Sequence, residues 1–239
     1  MAARDPIGSE RRGKPEPRDA PPPKPPLDER CAALIKELRA RCPGVLPEDP
    51  LPPGQYGKPI PVAPGAWRSL LQVACRQGVA LAARGRLPGS DDELPGVVVW
   101  EEGAAALAVS LTEIQTVVEE GAVTVVVPVR CDQLEGRRGL VRITLVVGSP
   151  QRPAGVLAAT ARRPEGPPLV VELWAEPLTA LAWQAVLDTA AAVAAHAGAD
   201  TDGTPLVVTA FAAAKDRIEI LPQARHPFDR APGSRAVTP

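Results

Sequence analysis

Hydrophobic and polar residues alternate along much of the second half of the chain. From residue 97 onward, short runs rich in valine are separated by turn residues such as Glu-Glu-Gly and Gly-Ser-Pro. In the run LVRITLVV, for example, apolar side chains alternate with Arg142 and Thr144. A period of two is typical of antiparallel strands with one face in water. Because the separators are short, the pattern predicts a meander of hairpins.

Two segments have the helical period instead. In 64–85, apolar side chains recur at helical spacing from Trp67, Pro64 suits the first turn, and Gly85 is a natural stop. In 177–198, nearly the whole helical surface is apolar. A helix of that kind is buried on more than one side.

Together these patterns predict an α+β fold. We expect an antiparallel sheet, a meander of roughly five to seven strands by counting runs. The helix that contains Trp67 and the helix 177–197 are expected to pack on one face of this sheet. The run PLVVELW (168–174) is interpreted as a strand. Pro128 cannot donate to a ladder, which favours an edge strand or a bulge there.

The segment 111–120 has two interpretations. The sequence Glu-Glu-Gly-Ala occurs twice and predicts two similar hairpins, with Gly103 and Gly121 at positive φ. However, Ser110 followed by Glu113 matches a capping box, which favours a short helix that ends at Gly121. We slightly favour the helix, and a strand over the same residues remains the alternative.

Proline divides the chain into five parts. Residues 1–26 are predicted to be a disordered, proline-rich arm, and 43–63 a proline-rich linker. Between them, 27–42 has the pattern of a short amphipathic helix, which docks either on the chain's own domain or on a partner. Residues 64–222 form the α+β domain, and 223–239 are expected to be a disordered tail.

Charge and cysteine content narrow the function classes. The formal net charge is -1, which does not favour nucleic-acid binding. A local route through the arm's Arg11, Arg12, Lys14 and Arg18 would predict binding that is lost in salt. No uninterrupted apolar run approaches a membrane span, and no secretory signal is visible, so no membrane partner is expected. The chain's 4 cysteines include no CxxC pair, and reduced thiols predict a cytoplasmic protein.

No catalytic, cofactor or metal motif is found in the sequence. The candidates for a ligand pocket are Trp100, Glu172, Trp174 and Asp188. If 168–174 is a strand, Glu172 and Trp174 project from the same face, where an aromatic ring beside a carboxylate can line a pocket.

The leading hypothesis for function is a non-enzymatic module for protein–protein interaction or assembly, with another protein or with itself. The alternative is a small-ligand-binding domain or enzyme with a pocket between the sheet and the 177–197 helix. A closed apolar pocket with convergent polar groups favours the alternative. An exposed apolar patch favours the interaction module.

Overall fold

The computed structural model describes residues 33–36, 58–85, 93–155, 159–196 and 206–224. Within these ranges it confirms an α+β fold with an antiparallel sheet, but the sheet has ten strands rather than five to seven. The two long helices are α1 (Pro64–Arg84) and α2 (Pro168–His196). The strands are β1 (Ile60–Val62), β2 (Val97–Glu102), β3 (Ala105–Ser110), β4 (Gln115–Glu119), β5 (Gly121–Cys131), β6 (Gly139–Ser149), β7 (Arg152–Gly155), β8 (Thr160–Ala161), β9 (Leu206–Ala214) and β10 (Arg217–Ala224).

The strand order across the sheet is β1-β10-β9-β7-β6-β5-β3-β2, with β4 also beside β5 and β8 also beside β6. The short strand β7 joins the two halves of this sheet. It pairs with β6 at Gly148 and Ser149, and with β9 at Phe211 and Ala210. The count exceeds the prediction because β1, β4, β7 and β8 are only 2 to 5 residues long. Strands this short carry little periodic signal.

β3 and β4 lie end to end along the same side of β5. β3 pairs with β5 at Val129–Cys131, and β4 pairs with it at Ala122–Val126. The segment 111–114 interrupts this line opposite Pro128. β5 is therefore a central strand, and the prediction of an edge strand or bulge at Pro128 was wrong. The irregularity that accommodates the missing N–H lies in the neighbouring strand.

The favoured helix over 111–120 was also wrong, because residues 115–119 form β4. The side chains of Leu111 and Ile114 are both 0% exposed, and the Leu111 N–H donates to the Gly96 carbonyl over 2.8 Å. Burial of these two large side chains outweighs a capping box, which contributes only about 1 kcal/mol. The predicted positive φ angles are confirmed at 61° for Gly103 and 79° for Gly121.

α1 begins and ends where the sequence predicts. Ala63 is extended, Pro64 opens the helix, and Gly85 adopts φ 64° while its N–H donates to the Leu81 carbonyl. Only a residue without a Cβ adopts this left-handed cap at little cost. The predicted inner face is buried, with Trp67 at 1% exposure.

α2 begins at Pro168, so the interpretation of 168–174 as a strand was wrong. The β-branched pair Val170–Val171 misled the prediction, because propensity is weak beside tertiary packing and both side chains are buried. Pro177, taken as the helix start, lies inside the helix. Its missing N–H leaves the Leu173 carbonyl without an intrahelical donor. Leu173 lies on an exposed part of α2, where water can bond that carbonyl.

The core lies between the helices and the inward residues of the sheet. Val123, Val125 and Val127 of β5 are at most 1% exposed. α1 packs against α2 and β4, while α2 also contacts β6, β9 and β10. An 18-residue window of α2 is long and apolar enough to span a membrane, but 50% of it is buried inside the protein. The core helices of soluble proteins meet the same test, and the fold is compatible with a soluble protein.

Part of the N-terminal region belongs to this core. Residues 33–36 are helical, and Leu34 is 1% exposed within the same hydrophobic cluster as Trp67. Ile60–Val62, inside the stretch 43–63, forms β1 against β10. The arm 1–26, most of 27–42 and the tail beyond Ala224 lie outside the described residues.

Candidate interaction surface

Two of the four predicted pocket residues come together. Trp100 on β2 and Trp174 on α2 have ring centroids 6.3 Å apart with planes tilted by 30°. This geometry is that of an offset aromatic pair. Trp174 is 4% exposed, whereas Trp100 is only partly buried. The pair therefore packs the edge strand β2 onto the first turns of α2.

Glu172 and Asp188 do not join this pair. On a helix, Glu172 lies about 200° around the axis from Trp174, and it is exposed. Asp188 is 14 residues beyond Trp174, which corresponds to about 21 Å along the helix. Asp188 instead accepts a hydrogen bond from Gln184 at 2.9 Å, one turn away on α2.

The carboxylate of Asp188 contributes to the raised pKa of a buried thiol on the neighbouring helix. Burial, with a smaller contribution from the negative charge of Asp188, raises the pKa of Cys75 from 9.0 to about 12. Cys75 is 1% exposed. Because thiolates are the reactive form of cysteine, a thiol in this state is chemically inert. Among the described residues, no group of three or more His, Cys, Asp or Glu is placed to hold a metal ion.

A polar cleft of about 390 Å³ lies between α1 and the interruption of the β3–β4 line. It is open to solvent, and an exposed ion pair between Arg138 and Glu113, at 3.1 Å, stands at its side. Ion pairs this exposed contribute little to binding or stability. The cleft is not the apolar, enclosed pocket predicted between the sheet and the long helix. Its lining residues are Arg68, Ser69, Gln72, Thr112, Glu113, Ile114, Gln115 and Arg138.

Two of the most exposed apolar side chains lie on the edge strand β2. Val97 and Val99 are 55% and 57% exposed. They lie on the outward face of β2, opposite the face that carries Trp100. Leu169 and Leu173, at 52% and 43%, lie on the turns of α2 that adjoin Trp174. Two of the six large apolar residues that the described part exposes therefore lie on β2, and two more lie in the first turns of α2.

The free edge of β2 presents unpaired backbone groups. Within the described residues β2 pairs with β3 alone. The Leu111–Gly96 hydrogen bond sets the alternation, so Val98 and Trp100 exchange hydrogen bonds with β3. The N–H and C=O groups of Val97, Val99 and Glu101 consequently point away from β3. An edge of this kind is a template for another strand.

Two side chains of α1 hold the segment just before β2 and the segment that follows β3. Arg76 donates from Nε to the Pro95 carbonyl at 3.0 Å and from Nη2 to the Leu94 carbonyl at 2.6 Å. Gln72, one turn earlier, donates to the carbonyls of Thr112 at 3.1 Å and Ile114 at 2.7 Å. The hydrogen bonds from Arg76 have a charged donor and are therefore stronger than those between neutral groups. β2 is therefore held in place before any partner arrives.

Comparison of this chain with family models, with curated proteins and with solved structures finds no match. The assignment of a site therefore depends on the geometry alone.

Sequence reasoning missed the edge because nothing local marks it. The run VVVWEE predicts a strand, but the position of that strand in the sheet depends on which partners it finds. The sequence offered only one indication of a free edge, which was the absence of protective residues. The first four residues of β2, Val97 to Trp100, include no charged residue and no Pro, the residues that natural edge strands use for protection.

Proposed function

We propose that this protein is a non-enzymatic interaction module that binds a protein strand along the free edge of β2. One observation carries the proposal: an edge strand with unpaired backbone groups presents Val97 and Val99 at more than half exposure. Addition of a strand to a sheet edge takes its affinity from main-chain hydrogen bonds and its specificity from alternate side chains.

Rigidity of the edge supports this function. Trp100 holds β2 to α2, and Arg76 holds the chain just before β2 to α1. A recognition strand that is already ordered loses little conformational entropy on binding. The alternative, a small-ligand pocket between the sheet and the long helix, has less support, because the side chains of the core fill that region in the described part of the chain.

Site-specific photo-crosslinking tests the proposal. A photoreactive amino acid replaces Val99 in the full chain, which is expressed in cells of its source organism. The matched control carries the same group at Leu140 of β6, which is 44% exposed but lies on a strand with sheet neighbours on both sides. We expect discrete protein adducts at 99 and none at 140. Equal labelling at the two positions, or no adduct at 99, would contradict the proposal.

A further inference from the structure

We propose that the strand bound by β2 is β2 of a second copy of this chain, antiparallel to the first about a two-fold axis through Val99. This inference rests on the proposed function and names its partner. Most soluble oligomers are homo-oligomers, and two-fold dimers are the commonest.

The backbone groups favour this register. In an antiparallel pair, residues directly opposite each other share both their face and their hydrogen-bonding state. With the axis at Val99, Val99 faces its own copy and Val97 faces Glu101, so every outward N–H and C=O of these three residues finds a partner. With the axis at Val98, Glu101 faces Pro95, which has no N–H to donate. With the axis at Trp100, Val97 faces the turn residue Gly103.

The side chains also fit this register. On the outward face, the two Val99 side chains meet at the axis, and both are exposed in the single chain. On the inner face, Val98 faces Trp100 of the second copy, and pairs of aromatic and β-branched residues stabilise neighbouring strands. Such contacts would bury side chains that water now reaches.

The charges favour a second copy as well. β2 is apolar at its start and acidic at its end, where Glu101 and Glu102 lie. The antiparallel arrangement places each acidic end beside the uncharged start of the other strand. The two Glu101 residues are then about 13 Å apart along the strands, farther than the Debye length of about 8 Å at physiological salt.

Cysteine substitution tests the register. Cys31 and Cys42 are first replaced by Ser in all variants, and Cys75 and Cys131 are buried. Directly opposite Cα atoms about 5.5 Å apart allow a disulfide. We expect Val99→Cys to form a covalent dimer under mild oxidation, and Val97→Cys alone to stay monomeric. A mixture of Val97→Cys and Glu101→Cys chains should cross-link. Preferential cross-linking of Val97→Cys to itself would overturn the register.

Sedimentation equilibrium of the full chain tests the dimer without new thiols. We expect Val99→Lys to weaken self-association at least tenfold, because two ammonium groups would meet at the axis. Val117→Lys is the matched control and should self-associate like the wild type. Circular dichroism verifies that both variants fold. If the wild-type chain stays monomeric at the highest soluble concentration, the proposal that the partner is a second copy is overturned. Photo-crosslinks from position 99 to a different protein, in that case, would still support the proposed function.

Discussion

The indole rings of Trp100 and Trp174 connect the edge strand of the sheet to the beginning of α2, with their centroids 6.3 Å apart. The two residues are 74 positions apart in the sequence, and neither belongs to a motif. Trp174 is part of the buried core, and Trp100 covers it from the sheet side. The contact explains why a strand with few partners keeps a fixed position.

Replacement of these rings should destabilise the protein unequally. Trp174→Ala is expected to lower the free energy of unfolding by about 3–5 kcal/mol, because it empties a buried site. Trp100→Ala should cost less, since that ring is only partly buried. Urea unfolding of both variants and of the double variant gives the coupling energy. We expect about 0.5–1.5 kcal/mol for the ring pair, and a coupling near zero would contradict the contact.

Gln72→Glu should destabilise the protein by about 1–3 kcal/mol. The amide of Gln72 donates to two carbonyl oxygens, and a carboxylate in its place presents only acceptors. Arg68→Ala, on the same helix at an exposed position, is the control and should change stability by less than about 0.5 kcal/mol. The comparison uses thermal and urea unfolding, and equal effects of the two substitutions would argue against the bonding of Gln72.

Gly148→Ala should be more disruptive than Gly103→Ala. Both glycines have positive φ, at 80° and 61°. A Cβ at Gly148 would collide with the backbone of Arg152 and Ala154, whereas a Cβ at Gly103 meets nothing within 4 Å. We expect a loss of about 1 kcal/mol at Gly103. The loss at Gly148 should be about 3 kcal/mol or more, because strain and overpacking add. Denaturant midpoints of the two variants decide the order.

The thiol of Cys75 should make stability fall at alkaline pH. Its folded pKa of about 12 lies above the unfolded value of 9.0, so the folded state holds the proton more tightly. The contribution of Cys75 is fully present below pH 9 and is lost as the pH rises toward 12. Over that window the loss approaches about 1.4 kcal/mol for each pH unit.

Cys75→Ala isolates this effect. The variant should be less stable than the wild type at neutral pH because it leaves a cavity, but its stability should fall less steeply between about pH 9 and 10.5. Urea unfolding across this range measures both slopes. Parallel slopes would contradict a raised pKa for this thiol.

Much of the sheet was accessible from the sequence because the alternation of LVRITLVV and the turn glycines are local signals. α1 was equally accessible, since Pro64 and Gly85 mark its ends. The errors arose where tertiary packing opposed a local pattern. A capped helix was predicted around Leu111 and Ile114, but both side chains are buried in an irregular segment instead. A strand was predicted around Val170–Val171, but these two residues are buried on a helix.

Two residues near the candidate surface were named from the sequence in another role. Trp100 and Trp174 were candidates for a ligand pocket, and the structure places their rings in contact. Glu172 was placed beside Trp174 only because period two was assumed, and the period of 3.6 separates them. The free edge of β2 depends on the order of all strands, and no window of the sequence contains that order.

The pairing of β1 with β10 also sets when this sheet can be completed. Ile60 lies opposite Ile220, so the two strands join residues 160 positions apart. A ribosome that adds about 5–20 residues per second needs about 8–32 s to make that interval. During this time β1 has no neighbour in the sheet, while the α1 segment and then the β5–β6 hairpin are synthesised. A nascent chain therefore completes its β1 border last, after the β2 border at the opposite end of the sheet has already been synthesised.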